Sequence, residues 1–251
     1  MQVIVDDLLT NYQQNNGKDL NILFIHGWAD SIAGQKSFID DISRIGNVLA
    51  LDLPGFGTSQ VPGRAFSLLD YAKFVRDFCE KTGFNKIDLI IGHSNGGAIA
   101  IKIVSLNLLN PKKLVLLGAS GIRDGRSSKK TALAIVAKAG KIITSPLPKT
   151  MKKQIRSKAY KTIGSDYLVA EHMQETFKNV VSEDMSDDAK NINIPTLLIY
   201  GQDDDQTPPK VGLKYHEIIN GSEIELVGGA GHFIQLDKPQ IVGDLIRKFI
   251  S

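Results

Sequence analysis

The sequence has few of the residues that form disulfide bonds and few long apolar segments of the kind that enter a membrane. One of its 251 residues is cysteine, Cys79, so no disulfide can form within the chain, which favours a reducing compartment. No apolar run reaches the roughly 18 residues that cross a bilayer. The start, MQVIVDDLLT, lacks the basic and apolar regions of a secretion signal. We therefore predict a cytoplasmic protein without a membrane span.

The charge of the chain is small in total but unevenly distributed. Hydrophobic residues make up 42% and charged residues 23%, which is ordinary for a globular domain. Residues 120–161 contain twelve Lys or Arg and a single acid, Asp124, whereas the whole chain carries a net +3. The remainder is therefore net acidic, and the basic excess indicates one distinct structural unit.

Short apolar runs alternate with helix-like segments along most of the chain. Near-continuous Ile, Leu and Val runs are typical of parallel strands covered on both faces. Their alternation with helices predicts an α/β fold, a three-layer α/β/α sandwich with a mostly parallel sheet. The predicted strands are Ile22–Ile25, Val48–Leu51, Ile87–Ile91, Leu114–Leu117, Thr196–Tyr200 and Ile224–Val227. The predicted helices are Gln35–Ile45, Leu68–Thr82, Gly96–Asn107, Pro209–Ile219 and Pro239–Ile250. An antiparallel edge hairpin is expected in residues 1–20, turning near Asn15-Asn16-Gly17.

The alternation stops between residues 120 and 193, where no strand is predicted. Helices are expected there over 131–144, 149–162 and 166–181. We interpret residues 120–193 as a helical cap inserted into a core made of residues 1–119 and 194–251.

A serine stands between glycines at the end of a predicted strand. Gly92-His93-Ser94-Asn95-Gly96 has the pattern G-x-S-x-G, with an apolar strand before it and an Ala/Ile-rich helix after it. A sharp strand-to-helix turn exposes a serine hydroxyl for attack on a carbonyl. The helix N-terminus also favours a developing negative charge. We predict that Ser94 is a nucleophile rather than a small residue in a glycine turn.

An acid and a histidine follow two later strands. Asp203, Asp204 and Asp205 come after the strand Thr196–Tyr200, and His232 comes after the last strand. Ligands bind outside the carboxyl ends of strands in open α/β sheets. A histidine there can accept the serine proton, and a carboxylate can fix its tautomer. Spacing alone does not choose among the three aspartates. The sequence shows no cluster with metal-ligand spacing, and the predicted chemistry needs no cofactor.

A fourth segment, Phe24-Ile25-His26-Gly27-Trp28, ends the first long strand. An oxyanion hole in this arrangement takes one backbone N–H from the loop there and another from the residue after the nucleophile. The candidates are the N–H groups of Trp28 and Asn95. His26 and His93 are interpreted as structural.

Taken in order, these segments resemble the α/β-hydrolase superfamily, specifically its single-domain serine hydrolases with a cap. The resemblance covers nearly the whole chain and is weakest over residues 1–20 and 120–193. It rests on His26-Gly27-Trp28, Asp52-Leu53-Pro54-Gly55-Phe56-Gly57-Thr58-Ser59, Gly92-His93-Ser94-Asn95-Gly96-Gly97, and Gly201…Asp204…Pro208 with Gly231-His232. The family pattern G-x-x-D-x-x-x-P implies that the acid is Asp204. Relatives that open epoxides or remove halides have aspartate at the turn, so Ser94 favours acyl-enzyme chemistry.

The resemblance implies a carboxylic-ester hydrolase with Ser94, Asp204 and His232 as catalytic residues, acting on a small-molecule ester. Trp28 and Arg123 are the candidate substrate contacts. One alternative is C–C bond or lactone hydrolysis with the same residues, in which Arg123 would hold a substrate carboxylate. The others are a hydrolase-fold receptor with slow turnover and a membrane-associated lipase-like protein.

The basic stretch 120–161 does not by itself identify a binding partner. It fits a solvated cap surface, an acidic carrier protein or an anionic membrane surface. The cap resembles that of the esterases that cleave pimeloyl-acyl-carrier-protein methyl ester. Nucleic acid is not expected, because the body is acidic and no recognised binding motif is present.

Overall fold

The computed structural model describes residues 1–123 and 171–251, which form a sheet of eight strands with helices on both faces. The strands, in chain order, are β1 (Gln2–Val5), β2 (Leu8–Gln14), β3 (Asn21–Ile25), β4 (Asn47–Leu51), β5 (Leu89–His93), β6 (Lys113–Leu117), β7 (Thr196–Gly201) and β8 (Glu223–Val227). The helices of the described residues are α1 (Lys36–Ile42), α2 (Leu68–Lys81), α3 (Asn95–Ser105), α4 (Glu171–Ser182), α5 (Ser186–Ala189), α6 (Pro209–Ile218), α7 (Ile234–Asp237) and α8 (Pro239–Ile250).

The sheet has the order β1-β2-β4-β3-β5-β6-β7-β8. Six neighbouring strands pair in parallel, in the order β4, β3, β5, β6, β7 and β8. At one edge of the sheet, β1 and β2 pair antiparallel to each other, and β2 pairs antiparallel to β4. In β3, Ile22 and Phe24 pack into one apolar cluster and Leu23 and Ile25 into another on the opposite face. A strand whose side chains are apolar in both directions needs cover on both faces. The predicted mostly parallel α/β sheet is therefore confirmed.

Helices supply that cover in two layers. The first face is covered by α1 and α8, through side chains such as Phe38 and Val242. The second face is covered by α2, α3 and α6, which contribute Phe74, Ile99 and Tyr215. These helices place most of their apolar residues on the sheet side, which is how burial offsets the entropy of ordering them.

The edge hairpin exists, but its predicted turn is wrong. The chain reverses at Asp6-Asp7, between β1 and β2, and not near Asn15-Asn16-Gly17. Both aspartates have positive φ, 46° and 61°, as a two-residue hairpin turn of the primed type requires. Aspartate tolerates this conformation better than most residues with a side chain. The Asp-Asp pair is a weaker turn signal than Asn-Asn-Gly, which instead lies in the connection to β3.

The connection between β6 and β7 contains no strand within residues 118–123 and 171–195. The predicted helix over 166–181 overlaps α4, which runs to Ser182. The predicted helices over 131–144 and 149–162 lie outside the described residues, as does nearly all of the basic stretch 120–161. The boundaries of a cap over 120–193 stay a prediction.

The topology places one crevice at the centre of the sheet. The chain passes from β3 outward to β4 and then crosses back to β5, on the other side of β3. The loops after β3 and β5 therefore leave in opposite directions, which opens a crevice at the carboxyl ends of the strands. The segments Gly27-Trp28 and Ser94-Asn95 follow these two strands. The two predicted donors and the predicted nucleophile therefore lie at one switch point.

Candidate active site

Ser94 occupies a strained turn between β5 and α3. Its φ is 53° and its ψ is −116°, a combination that residues with a side chain avoid and that clusters at functional sites. A Cβ on Gly92 would lie 2.6 Å from the carbonyl oxygen of Gly96, and one on Gly96 would overlap the carbonyl oxygen of Ile25. The glycines therefore allow the helix start to pack directly against the ends of β3 and β5. This packing holds the serine hydroxyl out of the turn.

His232 lies beside Ser94 and is hydrogen-bonded through both ring nitrogens. The Oγ of Ser94 is 2.9 Å from Nε2, and the carboxylate Oδ2 of Asp204 is 2.8 Å from Nδ1. The carboxylate accepts a hydrogen bond from Nδ1–H, which leaves Nε2 without a proton and able to accept a hydrogen bond from the serine hydroxyl. The structure thus brings the three predicted residues together in the order that proton transfer from the serine requires.

Asp204 is the buried member of the three adjacent aspartates. Asp203 and Asp205 are exposed, whereas only 4% of Asp204 is accessible. Its Oδ1 accepts the backbone N–H groups of Gln206 and Thr207 at 2.8 and 2.9 Å. Burial alone would raise the pKa of Asp204, but the hydrogen bonds from His232 and Thr207 outweigh it and lower the pKa. The carboxylate next to the histidine is therefore held in its charged form.

Thr207 is a further member of this cluster that the sequence analysis missed. Its hydroxyl lies 2.8 Å from Oδ2 of Asp204, 2.8 Å from the carbonyl oxygen of Gly118 and 3.1 Å from Nδ1 of His232. It can donate one proton, to the carboxylate or to the carbonyl, and in either case it restricts the position of the Asp204 side chain. The pattern G-x-x-D-x-x-x-P leaves this position unspecified, so it carried no signal.

The two histidines interpreted as structural are both buried and tied to backbone. In His26, Nε2 accepts the N–H of Leu53 at 2.9 Å, and Nδ1 lies 2.7 Å from the carbonyl oxygen of Gly27. The Nε2–H of His93 donates to the backbone carbonyl of His232 at 3.0 Å, and the two rings lie 5.0 Å apart. His93, the residue before Ser94, therefore connects the end of β5 to the backbone of the loop that carries His232.

Burial, together with the nearby His232, lowers the pKa of His93 to about 4. In the unfolded chain this histidine takes up a proton near pH 6.5. The contribution of neutral, buried His93 to the free energy of unfolding is therefore complete above that pH. It declines as the pH falls from 6.5 toward 4, by about 3 kcal/mol in total. We expect His93→Asn to remove this part of the pH dependence in urea unfolding curves measured between pH 4 and 7. His216→Asn, which changes an exposed ring, should keep the wild-type dependence. Equal slopes for wild type and His93→Asn would contradict the expectation.

A cavity of about 470 Å³ opens beside Ser94. Its apolar wall includes Trp28, Ile122, Phe177 and Val180, and the Trp28 ring lies 5.1 Å from that of Phe177. Charged side chains of the described residues also line it: Asp30, Arg123, Asp205, Lys210 and Lys214. An apolar pocket with a few polar groups beside a nucleophile is the usual form of a small-molecule site.

The predicted oxyanion donors lie next to this cavity. A Cβ on Gly27 would be 3.2 Å from that of Ser94, so the loop after β3 runs directly against the serine. Trp28 follows Gly27, and Asn95 is the first residue of α3. Both line the cavity, as does the other predicted substrate contact, Arg123.

Residues 1–123 and 171–251 contain neither a metal centre nor a membrane-spanning helix. No group of three His, Cys, Asp or Glu side chains there could hold a metal ion. No helix in those ranges is both long and apolar enough to span a bilayer.

Comparison with known proteins agrees with this architecture. The family model for the alpha/beta hydrolase fold matches residues 21–139. A 2-hydroxy-6-oxo-2,4-heptadienoate hydrolase of Pseudomonas putida is 21% identical over 248 residues. The match covers 92% of this chain and 88% of the length of that hydrolase. Among solved structures, a thermophilic esterase from Thermogutta terrifontis superposes with a TM-score of 0.78 at 20% identity, over 100% of this chain and 97% of its own. An enol-lactonase from Burkholderia xenovorans gives 0.80 at 15% identity, over 100% and 99%. The matched family model, the sheet order and the serine turn after β5 together show that the chain has the α/β-hydrolase fold.

Proposed function

We propose that this protein hydrolyses a carboxylic ester through an acyl-enzyme intermediate. The observation that carries the proposal is the continuous hydrogen-bonded series from Ser94 Oγ through His232 to Asp204, with distances of 2.9 and 2.8 Å. It ends at a serine that lines a cavity large enough for a small molecule. A base within hydrogen-bond reach is what a serine hydroxyl needs to become a nucleophile.

The proposed reaction uses these groups in sequence. Ser94 Oγ attacks the ester carbonyl carbon while His232 Nε2 takes its proton, and the backbone N–H groups of Trp28 and Asn95 stabilise the oxyanion. The carbon–oxygen bond to the alcohol breaks, and His232 returns the proton to the leaving alcohol. A water molecule then loses a proton to His232 and attacks the acyl group. The acid leaves, and Ser94 recovers its proton. Asp204 holds the required tautomer and stabilises the protonated ring.

The same residues support other hydrolyses. The relatives include a hydrolase named for a heptadienoate substrate and an enol-lactonase, so C–C bond or lactone hydrolysis is the second candidate. A hydrolase-fold receptor would keep the three residues but release its acyl group slowly. The acidic carrier protein and the anionic membrane surface stay proposals for the basic stretch 120–161. Cytoplasmic location also remains a prediction.

The test combines turnover with covalent labelling. We expect the protein to hydrolyse members of a p-nitrophenyl ester series from acetyl to dodecanoyl, and a fluorophosphonate probe to label Ser94, read by peptide mass spectrometry. The chain-length optimum would measure the acyl pocket. Labelling at Ser94 without turnover of any ester would move the function to the C–C or lactone candidate. One equivalent of p-nitrophenol without steady turnover would indicate the receptor. Absence of both labelling and turnover would refute serine hydrolase chemistry.

A further inference from the structure

Arg123 is a cation in the cavity wall that forms no ion pair with the residues that the structure describes. Its side chain is partly buried, and its Nη1–H donates to the carbonyl oxygen of Ile122 at 3.4 Å, a long hydrogen bond. Its Nε is buried and has no hydrogen-bond partner among the described residues. Across residues 1–123 and 171–251, Arg123 forms no ion pair. A guanidinium that has lost part of its water without gaining an ion pair is costly unless something else binds it.

The groups around Arg123 do not neutralise it. Burial lowers the pKa of Arg123, and the fields of Tyr215 and Asp184 offset this only in part. The hydroxyl of Tyr215 donates to the carbonyl oxygen of Ser120 at 2.7 Å. The carboxylate of Asp184 is exposed and accepts the N–H and hydroxyl of Ser186 at 2.9 and 2.6 Å. Both neighbours are therefore engaged elsewhere, and the forked donor of Arg123 remains available.

The other charges lining the cavity differ from Arg123 in this respect. Asp30 accepts hydrogen bonds from the N–H of Ser31 and from the side chain of Gln35. Lys214 forms an ion pair with Glu217 at 2.7 Å. Lys210 and Asp205 are exposed to water. Arg123 thus combines loss of water with a lack of ion pairing.

Arg123 also lies within reach of the reacting serine. The N–H of Ser120 donates to the carbonyl oxygen of Ser94 at 3.1 Å. Arg123 follows three residues later, so its Cα lies within about 11 Å of that of Ser120. Both Ser94 and Arg123 line the same cavity. A short acyl chain could therefore place its carbonyl at the serine and its far end at the arginine.

We propose that the natural substrate carries a free carboxylate that binds Arg123, so that the site selects monoesters of short dicarboxylic acids over neutral esters. A carboxylate matches the planar fork of a guanidinium with two parallel hydrogen bonds. This proposal rests on the ester hydrolase function above.

The first test compares pairs of esters that differ in one charge. Monomethyl and dimethyl esters of succinate, glutarate and adipate are hydrolysed in a pH-stat, and kcat/KM is measured for each. We expect the wild type to prefer one or more monoesters by about 10-fold or more. Arg123→Gln should lower kcat/KM for that monoester by about 10- to 100-fold and change the matched dimethyl ester by less than about 3-fold. Lys81→Gln, which removes an exposed cation outside the cavity, should keep the preference.

The second test measures binding without turnover. Trp28 is the single tryptophan of the chain and lines the cavity, so its fluorescence reports occupation. We expect Ser94→Ala to bind one or more of the free dicarboxylates more tightly than the corresponding diamide. The further change Arg123→Gln should weaken dicarboxylate binding by at least about 10-fold. Arg123→Lys, which keeps the charge but loses the fork, should fall between the two. Circular dichroism identifies any variant that fails to fold.

These tests separate the two proposals. Hydrolysis of dimethyl and monomethyl esters at equal efficiency, unaffected by Arg123→Gln, would overturn the carboxylate site and leave the esterase intact. Inertness on every ester would remove the esterase function, while the fluorescence titration would still decide whether Arg123 binds carboxylates. Equal affinity for dicarboxylate and diamide would overturn the site in either case.

Discussion

Replacing Ser94 with alanine is expected to lower kcat for ester hydrolysis by at least about 10³-fold while KM changes little. The reason is that the hydroxyl that attacks the carbonyl is lost, whereas the cavity that binds the ester is retained. Alanine occupies the same strained turn as serine, with one oxygen fewer. The loss is measured from steady-state rates on the best p-nitrophenyl ester, with circular dichroism confirming that the variant is folded.

The chain offers a matched control for this substitution. Ser120 follows β6, the strand next to β5, and also lines the cavity. Its backbone N–H, which a Ser120→Ala change retains, is the group that donates to Ser94. We expect Ser120→Ala to keep kcat within about 3-fold. A Ser94→Ala enzyme that retains a tenth or more of wild-type activity would mean that another group or a water molecule performs the attack.

Asp204→Asn is expected to lower kcat by about 10²- to 10⁴-fold. An asparagine amide can donate to Nδ1 of His232, which favours the tautomer with a proton on Nε2. That proton would face Ser94 and block acceptance of the serine proton. The backbone N–H groups of Gln206 and Thr207 can still bind the amide oxygen, so the loop should keep its shape.

The neighbouring aspartates are natural controls for this effect. Asp203→Asn and Asp205→Asn remove exposed carboxylates from the same loop and should keep kcat within about 3-fold. Stopped-flow or steady-state assays of the three variants side by side measure the difference directly. If Asp203→Asn or Asp205→Asn were as damaging as Asp204→Asn, the loop would act through its total charge and not through one hydrogen bond.

Much of the sheet could be predicted because its strands are buried on both faces. Runs such as Ile22–Ile25 and Leu114–Leu117 are apolar at every position, and the helices between them begin or end at Pro, Ser or Gly. The observed strands extend these runs by one polar residue, as at Asn21 and Lys113. Polar residues at strand ends still form ladder hydrogen bonds, but an apolar pattern does not mark them.

The predicted strand Ile87–Ile91 illustrates a different limit. The observed strand starts at Leu89 and continues through Gly92 and His93 into the serine turn. The predicted strand ended before Gly92, because this glycine interrupts the apolar pattern. In the fold, His93 pairs in register with Leu117, and its ring is buried against the histidine loop. Tertiary packing, which no local pattern contains, decides where such a strand ends.

The candidate site also contains residues that the sequence identifies and residues that only the fold identifies. Ser94 and His232 could be proposed from their chemistry and position, because Ser94 directly follows β5 and His232 lies in the loop after β8. Asp204 could be selected only through the family pattern, since its two neighbours are chemically identical. The fold distinguishes them by burial and by the two backbone N–H groups that bind Asp204. Thr207 escaped detection because its contribution depends on three contacts from distant segments.

The order of the strands in the sheet also sets when the chemistry can begin. Ser94 and His232 are 138 residues apart in sequence, and His232 follows β8, the strand at the outer edge of the sheet. Contacts between such distant segments form late and slowly as a chain folds. A chain whose centre is already folded therefore carries a serine without its base. Conversely, fraying at the β8 edge would silence the enzyme before its core melts. Loss of activity would therefore report separation of β8 from the sheet before the core unfolds.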